Sequence, residues 1–426
     1  MEKTVPSWSD INRDLLSEIA DRINCMRDFI IFGTVCKSWR SVASPDKFNK
    51  STKIPWLLLD QDKYDHTPRK FFDLSKDVIY SIDLPKPYLR KVQSSIARKF
   101  YLPRIIKKFF LCSYIKEKQY FLSSKGWYMI VEKEIQLSLL NPFSLSRINL
   151  PHPFPVAKDY KMKDFAMNPY ITKFVLSTSP SSSSDFTIMI LYRLYSFDPI
   201  RLAFWKNGDG EWSDVDLKFY SNFVDLTYHN GRYYAGHLFD ARFNGPILID
   251  YPNGYVVYEI DVRNSASVST RTKSFSNPYM NTFCRFPFWI VGSSRVLLMV
   301  SWRVESLKWE RGRGPCYLDT LYSHVPHCQF IVDEVDFEKG EGKVVSSFGE
   351  EALFLGLNSS YLVDASKESR FKSNHIYFAE NFQKFWSYHE GGGVGVYNMI
   401  DGSSKPLFNA TDSKYICSSQ WIEPRL

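Results

Sequence analysis

The chain has 426 residues and a net charge of +8, from 54 basic and 46 acidic side chains, a modest bias that does not require a nucleic-acid partner. Apolar residues make up 44% of the chain and aromatic residues 16%, which is enough for a large hydrophobic core. No apolar run is long enough to cross a bilayer and no secretory leader opens the chain, so we expect a soluble intracellular protein.

The first predicted element is a group of two or three short helices between Asp10 and Val42. Asp10 or Asn12 can cap the first turn. Apolar residues recur at helical spacing in two lines, Leu15, Leu16, Ile19 and Ile23, then Phe29, Phe32, Cys36 and Trp39, and the second line, like the first, is predicted to form one helical face. A module of about 40 residues is at the lower limit of independent stability. We therefore expect another protein to cover part of this apolar surface.

The helix containing Asp14-Leu15-Leu16, followed by the run from Val35 to Arg40 (VCKSWR), resembles the F-box. The resemblance implies docking to a Skp-type adaptor and, through it, to a cullin–RING ubiquitin ligase. The family usually has Leu-Pro before the first helix, where this chain has Ile11-Asn12. The residues expected to contact the adaptor, or to form the core behind that contact, are Ile11, Leu15, Leu16, Ile19, Ile23, Phe32, Val35, Cys36 and Trp39. Alternatively, the helices only cap the following domain.

Residues 44–53 are polar and include a proline, which indicates a connection. We therefore expect an F-box at 7–47, a linker at 48–53 and a second domain at 54–426. In this second domain, short β-type runs follow one another, and long amphipathic helices are missing from the sequence pattern. The predicted fold is α+β and multidomain, with a small helical module followed by a mainly-β propeller. Six or seven blades of about 50 residues account for its length.

Several short sequence segments in the second domain support the prediction of a propeller. Asn230-Gly231 predicts a tight turn before an aromatic strand. The segments Ser124–Trp127, Leu140–Phe143, Phe354–Asn358, Asn374–Phe378 and Trp421–Pro424 resemble, in this order, the plant KIB-type propeller domain. The resemblance implies kelch-like blades, with Gly126 and Gly356 where the backbone turns or packs closely. The strands at Trp56 and Trp421 are expected to close the ring.

Three segments allow alternative functions. The stretch from Leu84 to Lys116 is basic and aromatic, which fits a nucleic-acid groove, but a solvated face or an acidic protein partner explains it better. Four metal-capable side chains, Cys316, His324, His327 and Cys328, lack the paired spacing of a zinc site. The glycine-rich stretch from Gly391 to Gly395 leads into a strand and lacks GK[ST], so we interpret it as a hairpin rather than a phosphate loop.

The sequence contains no pattern typical of an active site. Asp333-Glu334 and Glu350-Glu351 have no partner signature, and a GxSxG elbow is missing. Seven scattered cysteines without a CxxC pair favour reduced thiols in the cytoplasm or nucleus. We therefore expect a non-enzymatic substrate receptor of a Skp–cullin–F-box ligase, with no cofactor, no metal and no membrane contact. Its protein substrate is unknown. The alternatives are a non-ligase interaction scaffold and, third, a propeller enzyme.

Overall fold

A computed structural model of the chain describes three short helices, one 3-10 turn and 27 strands. The described residues are 8–23, 26–44, 47–48, 54–59, 69–82, 122–131, 136–152, 170–193, 200–217, 223–238, 254–264, 267–276, 288–293, 295–304, 307–310, 314–317, 328–356, 358–366, 370–380, 393–407 and 420–425. Within these ranges, no helix has the length and apolarity to span a bilayer. The basic stretch from Leu84 to Lys116 lies outside the described residues, as do His324 and His327.

Three short helices precede the β structure. After a single 3-10 turn at Trp8–Asp10, they are α1 (Arg13–Arg22), α2 (Met26–Thr34) and α3 (Lys37–Val42). The N-cap of α1 is Asn12, whose Oδ1 accepts a hydrogen bond from the N–H of Asp14 at 2.8 Å. The predicted cap at Asn12 is therefore confirmed, and it satisfies one of the otherwise unpaired N–H groups of the first turn.

The second apolar line does not form one helical face, contrary to the prediction. Helix α2 ends at Thr34, and Cys36 is extended, with φ of −161°, before α3 begins at Lys37. Phe32 and Trp39 therefore belong to different helices. The rings nevertheless pack with centroids 4.5 Å apart, because α3 folds back on α2.

The rest of the described chain forms a propeller of six blades, within the predicted range of six or seven. Blade 1 contains β1 (Trp56–Leu59), β2 (Arg69–Asp73) and β3 (Val78–Ile82). Blade 2 contains β4 (Leu122–Ser124), β5 (Trp127–Val131), β6 (Leu137–Leu140) and β7 (Arg147–Asn149). Blade 3 contains β8 (Tyr170–Leu176), β9 (Thr187–Arg193), β10 (Arg201–Lys206) and β11 (Ser213–Asp214).

The other three blades follow in chain order. Blade 4 contains β12 (Phe223–His229), β13 (Arg232–Leu238), β14 (Gly254–Asn264) and β15 (Ser267–Ser276). Blade 5 contains β16 (Phe288–Gly292), β17 (Leu297–Val304), β20 (Cys328–Asp336) and β21 (Glu341–Val344), with a separate hairpin, β18 (Leu307–Glu310) and β19 (Gly314–Tyr317), inserted between β17 and β20. Blade 6 contains β22 (Glu351–Gly356), β23 (Tyr361–Asp364), β24 (His375–Glu380), β25 (Gly393–Asn398) and β26 (Ser404–Pro406).

Five blades are built from antiparallel pairs, whereas β22 pairs with β24 in parallel in blade 6. The two-residue turn between β12 and β13 holds Asn230 at φ 46° and Gly231 at φ 84°. These values match a type I′ hairpin, so the predicted turn is confirmed. A Cβ added at Gly126 would lie 2.7 Å from Cβ of Arg425, and one at Gly356 would lie 2.7 Å from the carbonyl oxygen of Ser359. The predicted close approaches at both glycines are therefore confirmed.

The last described strand closes the ring. β27 (Gln420–Ile422) is the inner strand of blade 1 and pairs antiparallel with β1, with Trp421 opposite Leu57. The closure predicted from Trp56 and Trp421 is therefore confirmed. Trp421 is fully buried between blades 6 and 1, and its ring meets Phe354 edge to face at 5.0 Å.

Polar contacts join every pair of neighbouring blades close to the axis. They are Ser123 Oγ to the Trp421 carbonyl (blades 2 and 1, 3.0 Å), Leu176 N to Ser124 Oγ (3 and 2, 3.0 Å), Lys173 Nζ to Asp225 (3 and 4), Ile290 N to Asp225 Oδ2 (5 and 4, 2.7 Å), Trp289 Nε1 to the Gly356 carbonyl (5 and 6, 3.2 Å) and Trp421 Nε1 to the Leu355 carbonyl (1 and 6, 3.1 Å). The contacts form a complete circle through all six blades. Loss of any blade would therefore leave buried polar groups unpaired.

The side chain of Asn358 crosses the centre of this circle. From blade 6, its Oδ1 accepts a hydrogen bond from the Phe174 N–H at 3.1 Å, and its Nδ2 donates to the carbonyls of Phe174 and Ser123. In the closed ring, blade 6 adjoins blades 5 and 1 but not blades 2 and 3, so these bonds span the axis. Asn358 is buried, and its amide satisfies main-chain groups that the strands leave unpaired there.

Replacing Trp421 with Ala should lower the free energy of unfolding by about 3–5 kcal/mol, because a fully buried indole leaves a cavity and an unpaired carbonyl. Urea denaturation of the two proteins measures the difference. Trp8→Ala is the matched control, since Trp8 is 74% exposed and its loss should change the free energy of unfolding by less than about 1 kcal/mol. Equal losses in the two variants would contradict the buried, ring-closing position of Trp421.

Acidification should weaken the propeller through His237. Burial lowers the pKa of His237 from its ordinary value of 6.5 to about 4, so the folded protein keeps this ring neutral while the unfolded chain protonates it. Its contribution to stability is present above pH 6.5 and is lost as the pH falls towards 4, by up to about 3 kcal/mol. Urea denaturation across this range should show a smaller acid loss for His237→Gln than for the wild type. His375→Gln, at a half-buried strand end, is the control and should retain the full loss.

Candidate protein-docking surface on the helical unit

The helical unit, defined as the described residues 8–48, has its own small core. Leu16 and Ala20 lie one turn apart on α1 and are buried against Phe29 and Phe32 of α2. The whole buried cluster is Leu16, Ala20, Met26, Phe29, Phe32, Val42 and Phe48. A second row of half-buried side chains surrounds it, namely Ile11, Ile23, Trp39, Ala43 and Phe143. These contacts use only part of the apolar surface of the helices.

Four large side chains, Leu15, Ile19, Ile31 and Val35, are left exposed by this core, and we call them the apolar outer face. Leu15 is 56% exposed, whereas its neighbour Leu16 is fully buried. Leu15 and Ile19 are one helical turn apart on α1, and both point outward. Ile31 and Val35 have the same spacing at the end of α2 and are also exposed, as is Ile30. A unit of this size thus presents two pairs of large apolar side chains to solvent.

The predicted adaptor residues therefore divide into three groups. Leu15, Ile19 and Val35 are exposed; Leu16 and Phe32 are in the core; and Ile11, Ile23, Cys36 and Trp39 are half-buried. The four half-buried residues are not equivalent. Trp39 packs on Phe32, whereas Cys36 is the main-chain N-cap of α3 and makes no capping hydrogen bond with its side chain. Their roles in adaptor binding stay predictions.

Trp8 is a surface residue that the sequence interpretation missed. Its carbonyl accepts a hydrogen bond from Trp39 Nε1 at 3.0 Å, and the two rings meet edge to face at 6.5 Å. Its own ring is 74% exposed. Ile30 and Ile31 were missed for a different reason, because the predicted line took only Phe29 and Phe32 from this helix. A helical-spacing analysis that considered every face of α2, and not only the face of Phe29 and Phe32, would have included Ile30 and Ile31.

Polar contacts hold the three helices together at their ends. Arg40 Nε donates to the Gly33 carbonyl at 3.2 Å and so ties α3 to α2. Lys47 Nζ donates to the Ser17 carbonyl at 2.8 Å and lies 3.3 Å from an Asp21 carboxylate oxygen, which ties the chain after α3 back to α1. These ties fix the apolar outer face without using any of its side chains.

Two buried charges of the propeller, Asp225 and Glu259, have partners of opposite charge. Lys173 and Asp225 form an ion pair at the axis. Glu259 in blade 4 accepts hydrogen bonds from Tyr234 Oη at 2.9 Å and Arg271 Nε at 2.6 Å, and Arg271 also binds Glu338. The hydrogen bonds from Arg271 lower the pKa of the Glu338 carboxyl. The Lys173–Asp225 pair therefore joins blades 3 and 4. The group around Glu259 joins strands of blade 4 and, through Arg271 and Glu338, links blade 4 to blade 5.

The alternative sites considered from the sequence lie partly outside the described residues. Among the described residues, no group of three or more His, Cys, Asp or Glu side chains could hold a metal ion. Cys316 and Cys328 lie in β19 and β20, but His324 and His327 fall outside the described ranges. The possibility of a zinc site at these four residues therefore stays untested. The glycine-rich stretch does lead into a strand, as predicted, since β25 begins at Gly393.

One carboxylate from each of the two acidic pairs, Asp333 and Glu351, makes a contact between neighbouring blades. Asp333 is buried on β20, and its Oδ2 accepts a hydrogen bond from Tyr255 Oη at 3.5 Å. Glu351, on β22, forms an ion pair with Arg295 from blade 5. Both contacts link neighbouring blades, as do the pairs at the axis.

Comparison with known proteins supports the propeller assignment. A model of the KIB1-4 beta-propeller family matches residues 71–398. The matched range begins within β2 and ends with β25, so it omits β1 and β27, which close the ring in the structure.

Similarity to curated proteins extends over almost the whole chain. The putative F-box protein At4g22170 of Arabidopsis thaliana is 23% identical over 98% of this chain and 96% of its own length. The F-box protein At5g25290 of the same plant is 20% identical over 99% of this chain and 97% of its own length. The resemblance to plant F-box proteins with a KIB-type propeller is therefore confirmed.

Solved structures are more distant. The Dos1 propeller is 12% identical with a TM-score of 0.27, over 50% of this chain and 54% of that chain. A point mutant of Synechocystis apocarotenoid oxygenase is 9% identical with a TM-score of 0.31, over 87% of this chain and 72% of that chain. At these TM-scores, the strand pairing within the chain itself is the basis for assigning six blades.

The division between outer face and core predicts different responses to the same substitution. Leu15→Asp combined with Ile19→Asp should change the free energy of unfolding by less than about 1 kcal/mol, because both side chains are exposed. Leu16→Asp should unfold the helical unit, because it buries an unpaired charge. Hydrogen-exchange mass spectrometry of peptides from α1 and α2 distinguishes the two. Loss of protection in the Leu15/Ile19 variant would place those side chains in the core instead.

Proposed function

The chain belongs to the KIB1-4 beta-propeller family, and on that premise we propose that it is the substrate-recognition subunit of a Skp–cullin–F-box ubiquitin ligase. In this proposal residues 7–47 are the F-box, residues 48–53 a linker and residues 54–426 the propeller. The helical unit binds a Skp-type adaptor, and the propeller binds the protein to be modified. The proposed location is the cytoplasm or nucleus, in keeping with seven cysteines that are scattered along the sequence without a CxxC motif.

The observation that supports this most is the apolar outer face. Leu15, Ile19, Ile31 and Val35 are exposed on a three-helix unit whose core is already filled by other side chains. A monomer gains nothing from keeping such side chains in water, whereas a protein interface of helices buries side chains at this spacing. The VCKSWR run begins with Val35, and the relatives similar over the full length bear F-box names.

The proposed mechanism needs no chemistry from this chain. The adaptor fixes the helical unit to the ligase, and the propeller keeps a bound protein near the conjugating enzyme recruited there. Holding two reactants on one scaffold replaces a bimolecular encounter with a local one, at an effective concentration set by the scaffold. The rate of ubiquitin transfer then depends on how long the partner stays bound and where its lysines lie.

Adaptor binding is the direct test. Isothermal titration with a recombinant Skp-type adaptor of Arabidopsis thaliana should give tight binding to the wild-type chain. Leu15→Asp with Ile19→Asp should weaken that binding at least about 100-fold, because each loss of a buried aliphatic contact costs about 1.5–3 kcal/mol. Ile400→Asp is the matched control, since Ile400 is an exposed aliphatic residue on blade 6 of the propeller.

The outcomes separate the two leading functions. If Ile400→Asp binds as tightly as the wild type while the Leu15/Ile19 variant does not, the apolar outer face is the adaptor site. If the wild-type chain does not bind the adaptor at all, the ligase proposal fails, and an interaction scaffold that uses the same face for a different protein becomes the better explanation.

A further inference from the structure

Among the described residues, a turn of blade 2 makes an apolar contact with the helical unit. Phe143 lies in the turn 141–146 between β6 and β7, and its half-buried ring packs against the core of the helical unit. The same ring packs into the cluster between blades 1 and 2, edge to face with Trp56 at 5.4 Å and at 6.1 Å from Phe71. One side chain therefore belongs to two cores that would otherwise be separate.

A salt bridge from blade 1 supports the same contact. Lys76, in the turn between β2 and β3, places Nζ 2.5 Å from Oδ2 of Asp28 on α2. Counted outward from the axis, β2 and β3 are the third and fourth strands of blade 1, and β6 and β7 are the third and fourth strands of blade 2. The two contact turns therefore emerge at the same end of the propeller. In the part of the chain that the structure describes, the helical unit therefore has an apolar contact with blade 2 and a charged contact with blade 1.

The turn that contains Phe143 is held in a single shape. Asn141 is buried, and its Oδ1 accepts hydrogen bonds from the N–H groups of Phe143 and Ser144 at 2.9 and 3.1 Å. Its Nδ2 donates to the carbonyl of Arg425 at 3.1 Å, next to the ring-closing strand β27. Leu145 is held at φ 58°, a left-handed value that is unfavourable for leucine. The main chain at Phe143 is therefore fixed by contacts within the propeller, next to the ring-closing strand.

We propose that the turn 141–146 and Lys76 form a rigid joint that holds the helical unit in one orientation on the propeller, with Phe143 as the positioning residue. The inference rests on the proposed function for its purpose, because a fixed orientation would set the distance between an adaptor on the helical unit and a protein bound by the propeller. The joint itself is a property of the free chain, and it can be measured without any partner.

Distance measurement between spin labels tests the joint. The labels are attached through genetically encoded keto amino acids at Glu18 on α1 and Lys339 at the turn between β20 and β21, both well exposed, so the native cysteines remain. The wild-type chain should give one narrow distance distribution. The combination Phe143→Ala with Asp28→Lys should broaden that distribution about twofold, since units that lack a large apolar interface move relative to one another by default.

Two further variants separate positioning from stability. The exchange of charges, Asp28→Lys with Lys76→Asp, keeps Phe143 and an ion pair of opposite polarity. Its distance distribution should be as narrow as that of the wild type. Leu145→Ala is the matched control in the same turn and should leave the distribution unchanged, because its side chain is exposed. Urea denaturation checks that the propeller remains folded in each variant, and Asp28→Lys alone changes no residue of the propeller core.

The proposal is overturned if the wild-type distribution is already broad, or if the Phe143→Ala, Asp28→Lys chain stays as narrow as the wild type while folded. Its failure differs from failure of the proposed function, which adaptor titration decides. Where the adaptor does bind, the reconstituted ligase gives a second readout. Mass spectrometry should find self-ubiquitination on few propeller lysines in the wild type and on more of them in the loosened variant.

Discussion

The pairing of β27 with β1 is the interaction on which the rest of the structure depends. It brings together chain segments separated by almost the whole sequence and removes two open strand edges at once. With β27 in place, Trp421 fills the space between blades 6 and 1, and its main-chain and indole groups complete the circle of hydrogen bonds around the axis. Because each blade buries its faces only against its neighbours, closure stabilises all six together.

The buried polar residues of the propeller serve this closure. Asn358 spans the axis, Asp225 binds both a lysine of blade 3 and a main-chain N–H of blade 5, and Trp289 reaches a carbonyl of blade 6. Such contacts are costly to leave unpaired in a low-dielectric interior, so they select one arrangement of the blades. A propeller held in this way is suited to present a partner at a fixed position.

Closure also explains how a small helical unit acquires a defined position. The described residues after β27 run back to the turn of blade 2, where the Arg425 carbonyl binds Asn141, and that turn presents Phe143 to the helices. Ring closure, the shape of the turn and the seating of the helical unit are thus connected through neighbouring residues. The described contacts between the helical unit and the propeller involve Phe143 and Asp28, and they leave Leu15, Ile19, Ile31 and Val35 in solvent.

The sequence alone determined what depends on local pattern. Period-3.6 spacing predicted the helices, Asp10 or Asn12 a cap for the first helix, Asn230-Gly231 a hairpin turn, and Trp56 with Trp421 the closing strands. These features depend on neighbouring residues or on one matching pair of strands. Only the tertiary structure decided that Leu16 is buried while Leu15 is exposed, that Cys36 interrupts the second apolar line, that the blades number six, and that Phe143 belongs to two cores. Each of these depends on which surfaces meet after long-range folding, and residue spacing along one segment does not contain that information.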